Sequence, residues 1–426
     1  MNPIFNEYIT FLRDTSGEIL PDLKEGYFWL DRQIVKGFDK QGNIHKFYRI
    51  NISDSLKLSI DSPKSGYDKV EDIDLASWND LVKMQERHLY QIEKKSKNII
   101  KKKMRKFNGY IPLVPVSMGK DSMVTCHLVR ECYPDTKAIF NNTTLDCADT
   151  YRMAKTFPNC EMMTPKQGFY QYIKEQNVVF NRISRGCCRI FKVGEMVNQL
   201  DHDTPYLMFM GMRNEESNTR SGYGDEWVNE AEWGKTKWQG ILPIRKWTEL
   251  ELWLYTIKNN ISINAKYKKG YARVGCNIAC PFYTSSTWIL DKYWYPLQYE
   301  RYHNKIEEDF TTNEKWCRIN CTKDEYHLNW NGGLVRKEPN DEVIDEFMKY
   351  KKFDNKELAL QYFSKKCTSC KKSVYKKNEI AMNLKLFGRN IDKFLCKRCL
   401  SKQMGWKQKD WDEEVILFKQ QNCSLF

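Results

Sequence analysis

Ile111-Pro112-Leu113-Val114-Pro115-Val116-Ser117-Met118-Gly119-Lys120-Asp121-Ser122 is the stretch that decides how this chain reads. An apolar run feeds a tight glycine-bearing turn, and a helical pattern begins near Asp121. Strand, turn and helix start in that order make an anion site, because backbone N–H groups and the positive helix end converge there. Lys120 adds a full charge. The spacing G-x-x-x-x-G-K-[ST] of the kinase and GTPase phosphate loop is absent, so the turn is of another kind. The plain alternative is an ordinary lysine-bearing turn.

Outward from this turn the pattern alternates. Strands are expected at Ile111–Val116, Lys137–Asn142 and Tyr206–Met212, and helices at Ser122–Glu131, Ala148–Lys155, Gln167–Glu175, Lys192–Leu200 and Glu249–Asn259. Thr248 followed by Glu251 makes a capping box for the last of these. Such alternation implies right-handed βαβ units, with ligands beyond the carboxyl ends of the strands. The expected fold class is α/β: a Rossmann-like parallel sheet with helices on both faces, a small β-rich N-terminal module and a C-terminal zinc module. The expected division is a β-rich module at 1–76, a basic helical linker at 77–109, a nucleotide-binding domain at 110–285, a helical connector at 286–364 and a Cys-rich module at 365–426. Phe28-Trp29-Leu30 and Phe47-Tyr48-Arg49-Ile50 read as strands of the first module.

The 426 residues carry a formal charge of +14, which favours a polyanionic partner such as nucleic acid or nucleotide. No apolar run is long enough to span a membrane, and the start of the chain lacks a secretory pattern, so a cytoplasmic protein is expected. Disulfides are uncommon there, and the 15 cysteines need another account. None falls in the first 125 residues, and ten fall in five close pairs. Cys367/Cys370 and Cys396/Cys399 are two C-x₂-C knuckles 25 residues apart, a pattern that favours a closed tetrahedral Cys₄ zinc site over redox pairs. Residues 365–409 hold 14 Lys/Arg against two acids. That module suits nucleic-acid phosphates, a structural cap or a protein dock. The cations from Lys94 to Lys106 read either as a solvated helix face or as a phosphate contact.

Four further segments make the reading specific. Phe140-Asn141-Asn142-Thr143-Thr144-Leu145-Asp146 ends the second strand. Arg185-Gly186-Cys187-Cys188-Arg189 precedes Lys192-Val193, and Gly211-Met212-Arg213 leads to Glu216-Ser217-Asn218-Thr219-Arg220. Leu242-Pro243-Ile244-Arg245-Lys246-Trp247 leads through Trp253 to Tyr267-Lys268-Lys269-Gly270-Tyr271-Ala272-Arg273-Val274-Gly275-Cys276 and Cys280-Pro281. With Ser117-Met118-Gly119-Lys120-Asp121-Ser122, these blocks resemble the phosphoadenosine phosphosulfate (PAPS) reductase family of the PP-loop ATP pyrophosphatase superfamily. The resemblance covers roughly residues 110–285.

It implies an adenine nucleotide site. Ser117, Gly119, Lys120, Asp121 and Ser122 would hold pyrophosphate, and Asp121 would help position Mg²⁺. Asn142, Thr143, Thr144 and Leu145 would flank the adenosine of ATP, and Arg213, Glu216 and Arg220 would close over the phosphates. The intact loop points to ATP cleavage, as in the sulfurtransferase of bacterial DNA phosphorothioation, on a nucleic-acid (DNA or tRNA) or nucleotide acceptor. A cysteine desulfurase would be the sulfur-donating partner. PAPS or APS reduction is the runner-up, although Asn422-Cys423-Ser424-Leu425-Phe426 keeps little of the reductases' cysteine tail. A non-catalytic, nucleotide-sensing nucleic-acid binder is the third reading. Cys187, Cys188, Cys276 and Cys280 match in outline the four ligands of a [4Fe–4S] cluster, though Cys276–Cys280 is C-x₃-C where the family has C-x₂-C. Zinc or free catalytic thiols are the alternatives there, and Cys317 and Cys321 are possible substitute ligands.

Overall fold

The structure, a computed structural model, describes residues 1–53, 56–61, 66–180, 186–229, 233–276, 278, 280–312, 345, 348, 366–372, 374, 377–388, 391, 393–421, 423 and 425–426. Cys317 and Cys321 therefore lie outside the described residues. Two compact units are present: Met1–Gln176 with Phe180–Glu300, and Arg301–Phe426 with Asn177–Val179.

The first unit opens with an antiparallel sheet of five strands in chain order: β1 (Asn2–Pro3), β2 (Trp29–Asp31), β3 (Ile34–Phe38), β4 (Ile44–Ile52) and β5 (Leu58–Asp61). Between β1 and β2 runs a helix that the sequence reading did not contain, α1 (Asn6–Ser16), which ends on Gly17 at φ 74°. Ser77 caps α2 (Trp78–Met84) through a reciprocal box with Asp80. The single helix expected onward from Ser77 is interrupted at Gln85, and α3 (Glu86–Lys106) follows.

The second sheet has the order β10-β11-β9-β6-β7-β8, from β6 (Ile111–Val116), β7 (Lys137–Asn141), β8 (Cys160–Met163), β9 (Tyr206–Phe209), β10 (Glu226–Trp227) and β11 (Gln239–Ile241). Every pairing is parallel except β10 with β11 at the edge. The chain moves from β6 through β7 to β8 on one side, then returns past β6 to β9 and β11. This reversal leaves a crevice at the carboxyl end of β6, where open α/β sheets place ligands. Strand alternation sends neighbouring side chains to opposite faces. Val114, Val116, Phe140, Leu207 and Phe209 join one buried cluster with residues of α4 (Lys120–Arg130) and of the helix Glu249–Lys258. Leu113, Ile139 and Met208 join the other, with Met196, Trp233 and Trp238. Helices α5 (Ala148–Thr156), α6 (Phe169–Glu175) and α7 (Gly194–Gln199) complete the crossovers. No helix among the described residues is long and apolar enough to cross a membrane.

The two sheets of this unit share a core. Phe5, Trp29, Phe38, Ala76 and Trp78 belong to the same cluster as Val114 and Phe209. Gly270, at φ 92°, lies so close to α1 that a Cβ there would stand 2.1 Å from the Tyr8 ring. Gly270→Ala is therefore expected to lower stability by roughly 1–3 kcal/mol through overpacking, read as a fall in the urea midpoint.

Candidate functional site

The turn after β6 is built differently from a simple glycine bend. Its left-handed residue is Met118, at φ 54°, fully buried. Gly119 has an ordinary φ of −89°. Position 119 is tight: a Cβ would stand 3.2 Å from Ser117 Oγ and 3.3 Å from the Tyr267 hydroxyl, so a larger residue would press on both. Ser117 donates its N–H to Ser122 Oγ at 3.1 Å, and that hydroxyl donates to the Gly119 carbonyl at 2.9 Å. The serines thus close the loop on itself and aim the first turn of α4 at the crevice. The first N–H groups of a helix have no partner inside it. Here the Lys120 N–H donates to Tyr267 Oη at 2.9 Å.

Lys120 is only 5% exposed, and its ammonium lies 3.2 Å from both Asp121 and Glu249. Arg213 Nε pairs with the other Asp121 oxygen, and Arg213 Nη1 reaches Glu215 at 2.8 Å. Arg213 N–H donates to Glu216 at 2.8 Å, and Glu216 pairs with Arg220. The five catalytic candidates are therefore brought together, in a network that is internally paired. Burial works against each charge, but the partners prevail. Tyr267, Asp121 and Glu249 hold Lys120 above the usual lysine range. Lys120 and Arg213 hold Asp121 below the usual carboxylate range, and Lys120 with the N-terminal amine does the same for Glu249. Glu249 was missed in the sequence because its partner lies 129 positions away. Gly211, after β9, fits against the same helix start: a Cβ there would meet the Asp121 backbone at 2.6 Å.

At the end of β7, side chains fold the expected adenosine-flanking turn. Thr144, at φ 58°, donates its N–H to Asn142 Oδ1 at 2.9 Å and accepts the Phe169 N–H at 2.7 Å. Thr143 donates from N–H and hydroxyl to Asp146 Oδ2. Thr143 and Leu145 line a cavity together with Cys187, Cys188, Cys276 and Lys192. Val274, two residues before Cys276, lies 3.8 Å from where a Gly119 Cβ would be. The cysteine centre and the anion turn are thus neighbours across one segment.

The four cysteines form two thiol pairs. Hydrogen bonding from Cys276 and the charge of Arg273 draw Cys280 down to about 6 against the opposition of burial, and Arg273 Nη2 lies 3.6 Å from its sulfur. The Cys188 thiol and burial push Cys187 up. Among the described residues, the only cysteine, histidine or acidic ligand atoms that gather by three or more within 4.8 Å are those of Cys367, Cys370, Cys396 and Cys399. The Cys187/Cys188/Cys276/Cys280 set is wider. A single tetrahedral ion at about 2.3 Å from each sulfur requires sulfurs near 3.8 Å apart, whereas the ligands of a cubane sit on four different irons. The wider set fits the cluster, and the buried Lys266 together with the exposed Arg273 and Lys192 fits its charge. Lys266, absent from the sequence reading, is fully buried and feels Cys147 and Cys276. Its ammonium donates to Tyr283 Oη at 3.3 Å, and Tyr283 donates to the Val274 carbonyl at 3.1 Å. That hydroxyl also lies 2.5 Å from a Cβ built on Gly275, at φ 57°, so only glycine fits the turn into Cys276.

In the second unit, Cys367 and Cys370 sit on a knuckle closed by the Lys371 N–H to the Cys367 carbonyl, with Lys371 at φ 59°. Cys396 caps the helix Lys397–Met404, and Cys399 lies in its first turn. The Cys370 and Cys396 sulfurs are 3.6 Å apart, which fits one tetrahedral ion. Cys423 is half-buried near the end of this unit.

The described fold is a parallel α/β sheet with an anion turn at its switch point and four cysteines beside it. Residues 111–281 match the phosphoadenosine phosphosulfate reductase domain, and the chain carries a domain of that family. An uncharacterized protein of Methanocaldococcus jannaschii is 27% identical over 238 residues, 52% of this chain and 54% of that protein. The chain thus spans about half of that relative's length. Adenosine 5'-phosphosulfate reductase of Halalkalibacterium halodurans is 27% identical over 171 residues, 38% of this chain and 70% of the reductase. Among solved structures, phosphoadenylyl-sulfate reductase from Candida auris, in a phosphate complex, is similar with a TM-score of 0.33 at 15% identity, over 43% of this chain and 92% of that one.

Asp121 and Glu249 have lowered pKa values in the folded state, so the stability they contribute is complete above their unfolded values near 4 and is lost as pH falls through the folded ones. Glu249→Gln is expected to lower stability at neutral pH and to flatten this acid limb, measured as urea midpoint against pH. An acid limb that keeps its full slope in the variant would remove Glu249 from the network's energetics.

Proposed function

We infer that the chain is an ATP-dependent PP-loop enzyme that adenylates an acceptor and exchanges the activated oxygen for sulfur, with a nucleic acid or nucleotide as acceptor. The observation that carries this reading is the cavity shared by Thr143, Leu145 and the cysteines, one segment away from the Gly119 turn. It supports a sulfur centre beside the crevice at the carboxyl end of β6.

In this scheme an acceptor oxygen attacks the α-phosphorus of ATP, forming an O-adenylate and releasing pyrophosphate. A sulfide-level sulfur, supplied by a partner such as a cysteine desulfurase, then displaces AMP. The first turn of α4 and the Lys120 ammonium hold the departing pyrophosphate, because fixed donors need no reorganisation as charge develops. Lys120 turns from Glu249 to the phosphates as they arrive. Asp121, engaged by Lys120 and Arg213, tethers the loop and offers an oxygen to the Mg²⁺ that enters with the nucleotide. Arg213, Glu216 and Arg220 form the far wall. Asn142 to Leu145 present the adenosine side of the crevice. When bound at Cys187, Cys188, Cys276 and Cys280, a [4Fe–4S] cluster supplies an iron site for sulfur. Lys192, Arg273 and Lys266 offset its charge, and the Tyr283 hydroxyl holds the turn that carries Cys276. Cys367, Cys370, Cys396 and Cys399 hold a structural Zn²⁺.

A second reading, reduction of APS or PAPS with a thiol donor and Cys423, is favoured by the likeness to the Halalkalibacterium halodurans reductase. The intact Gly119-Lys120-Asp121-Ser122 favours the first, since sulfonucleotides have no β,γ-pyrophosphate to hold. Sulfite production from either sulfonucleotide would decide for the second. Pyrophosphate release from ATP is expected to fall by at least about a hundredfold in Lys120→Met, with circular dichroism to confirm the fold. Undiminished release would take the loop out of the mechanism. Anaerobic purification should yield four irons and one zinc per chain; zinc alone would set the cluster aside.

A further inference from the structure

The second unit has its own charge geometry. The sulfurs of Cys367, Cys370, Cys396 and Cys399 all lie within 4.8 Å of one another. Lys366 precedes Cys367, Lys371 follows Cys370, and Arg398 stands between Cys396 and Cys399. Each is one Cα step, about 3.8 Å, from a ligand residue. Lys393 joins them, because the segment before Cys396 runs beside the knuckle: Cys367 pairs with Phe394, and the Thr368 N–H donates to the Phe394 carbonyl at 2.8 Å. Lys366, Lys371, Lys372, Lys393 and Arg398 are all exposed. Among the described residues, none of them forms an ion pair. All lie within about one Debye length of the sulfur cluster, so their fields add.

Among the described residues, the neighbouring acids are engaged elsewhere. Glu379 is turned inward and accepts the Lys397 N–H at 2.9 Å, and Lys397 pairs with Asp412 at 2.9 Å. Acids gather instead on the helix Gln408–Gln420, where Glu413 pairs with Lys409. A Zn(Cys)₄ centre carries two net negative charges, which the patch exceeds. Cations flanking a metal merely to neutralise it would not need this surplus or this exposure. In the first unit, Lys97 of α3 is paired with Glu93 and Glu131, and Lys103 and Lys106 with Glu226, while Lys94, Lys95, Lys101, Lys102 and Arg105 stay exposed, which makes α3 the competing surface for a polyanion.

We propose that this metal knuckle is a phosphodiester-backbone grip: the bound ion fixes Lys366, Lys371, Lys372, Lys393 and Arg398 in one patch that binds nucleic acid without reading its bases. The proposal deepens the nucleic-acid acceptor reading above by assigning the contact to the second unit. It also makes affinity depend on the metal, because the ion ties Cys367 and Cys370 to Cys396 and Cys399 and so tightens the two halves that the Cys367–Phe394 pairing brings side by side.

The test uses the full chain and fluorescein-labelled 30-mers of single-stranded DNA, single-stranded RNA and duplex DNA, with anisotropy read from 50 to 300 mM salt and no ATP present. The variant is Lys371→Asn, Lys372→Gln, Arg398→Gln; asparagine tolerates the left-handed backbone at 371. Zinc content confirms that the knuckle is intact. Affinity at 150 mM salt should fall about tenfold or more, and the slope of log K against log salt should flatten by about two to three, near 0.7–0.9 per lost phosphate contact. Chelation of the metal should weaken binding by at least as much. Equal affinity and slope in the variant would move the contact to α3 and overturn the proposal. Absence of oligonucleotide binding, or tighter binding of poly-glutamate than of any oligonucleotide, would overturn it too. Because no nucleotide enters the assay, failure here leaves ATP cleavage untested by it, and loss of pyrophosphate release would leave the grip standing.

Discussion

The buried charge network at the start of α4 is the constraint on which the rest of the first unit depends. Lys120 lies between Asp121 and Glu249, and Arg213 closes on the second Asp121 oxygen. These groups come from the turn after β6, the loop after β9 and the helix Glu249–Lys258, so one set of ion pairs fastens three parts of the crevice. Charges removed from water are tolerated only when paired, and losing one partner of a buried pair costs about 3–5 kcal/mol. The loop is therefore held in one geometry before any ligand arrives. An anion entering it must compete with Glu249 for Lys120, which makes binding an exchange of partners rather than the filling of an unpaired positive hole.

The aromatic residues set the boundaries of that exchange. Tyr267 accepts the Lys120 N–H, lies under its ammonium at 5.5 Å from the ring centroid, and packs edge-on to Trp253 at 5.1 Å. Trp253 in turn donates to Asn2 at the edge of the first sheet. Tyr283 plays the matching part at the cysteine centre, where its hydroxyl accepts from Lys266 and donates to Val274. Two phenols thus fix the two turns that flank the shared cavity, each paired with a buried lysine.

The sequence made the β6 turn legible because all its determinants are local: an apolar strand, two serines, a small residue and a helix start within twelve positions. The capping boxes at Ser77 and Thr248 are equally local, and the second appears as expected, with Thr248 Oγ1 accepting the Glu251 N–H. What escaped reading depends on distant partners. Cys160–Met163 and Gln239–Ile241 are strands of four and three residues whose pairing comes from β7 and β9. The helix expected from Lys192 instead begins earlier, with a wider-wound π segment over Cys188–Val193. The left-handed residue falls at Met118 rather than at the glycine, since a buried methionine is held there by packing that no local pattern announces. Glu249 and Lys266 were overlooked for the same reason: each acquires its role from residues far along the chain.

The two cysteine sets differ in a way that their spacing alone does not express. The C-x₂-C knuckles bring four sulfurs within 4.8 Å and leave their cations exposed. The other set places Cys187, Cys188 and Cys276 on a small cavity and Cys280 beside Arg273, with Lys266 fully buried nearby and Arg273 and Lys192 exposed. Exposed cations around a closed ion are available to an external polyanion, whereas the buried Lys266 is held by Tyr283 and by the fields of Asp291, Cys147 and Cys276. The C-x₃-C departure is compatible with this division, because the turn into Cys276 is fixed on its N-terminal side, by Gly275 and Tyr283, and the added residue falls beyond it. Sulfur separation therefore distinguishes a set close enough to share one tetrahedral ion from a set spread beside the turn after β6.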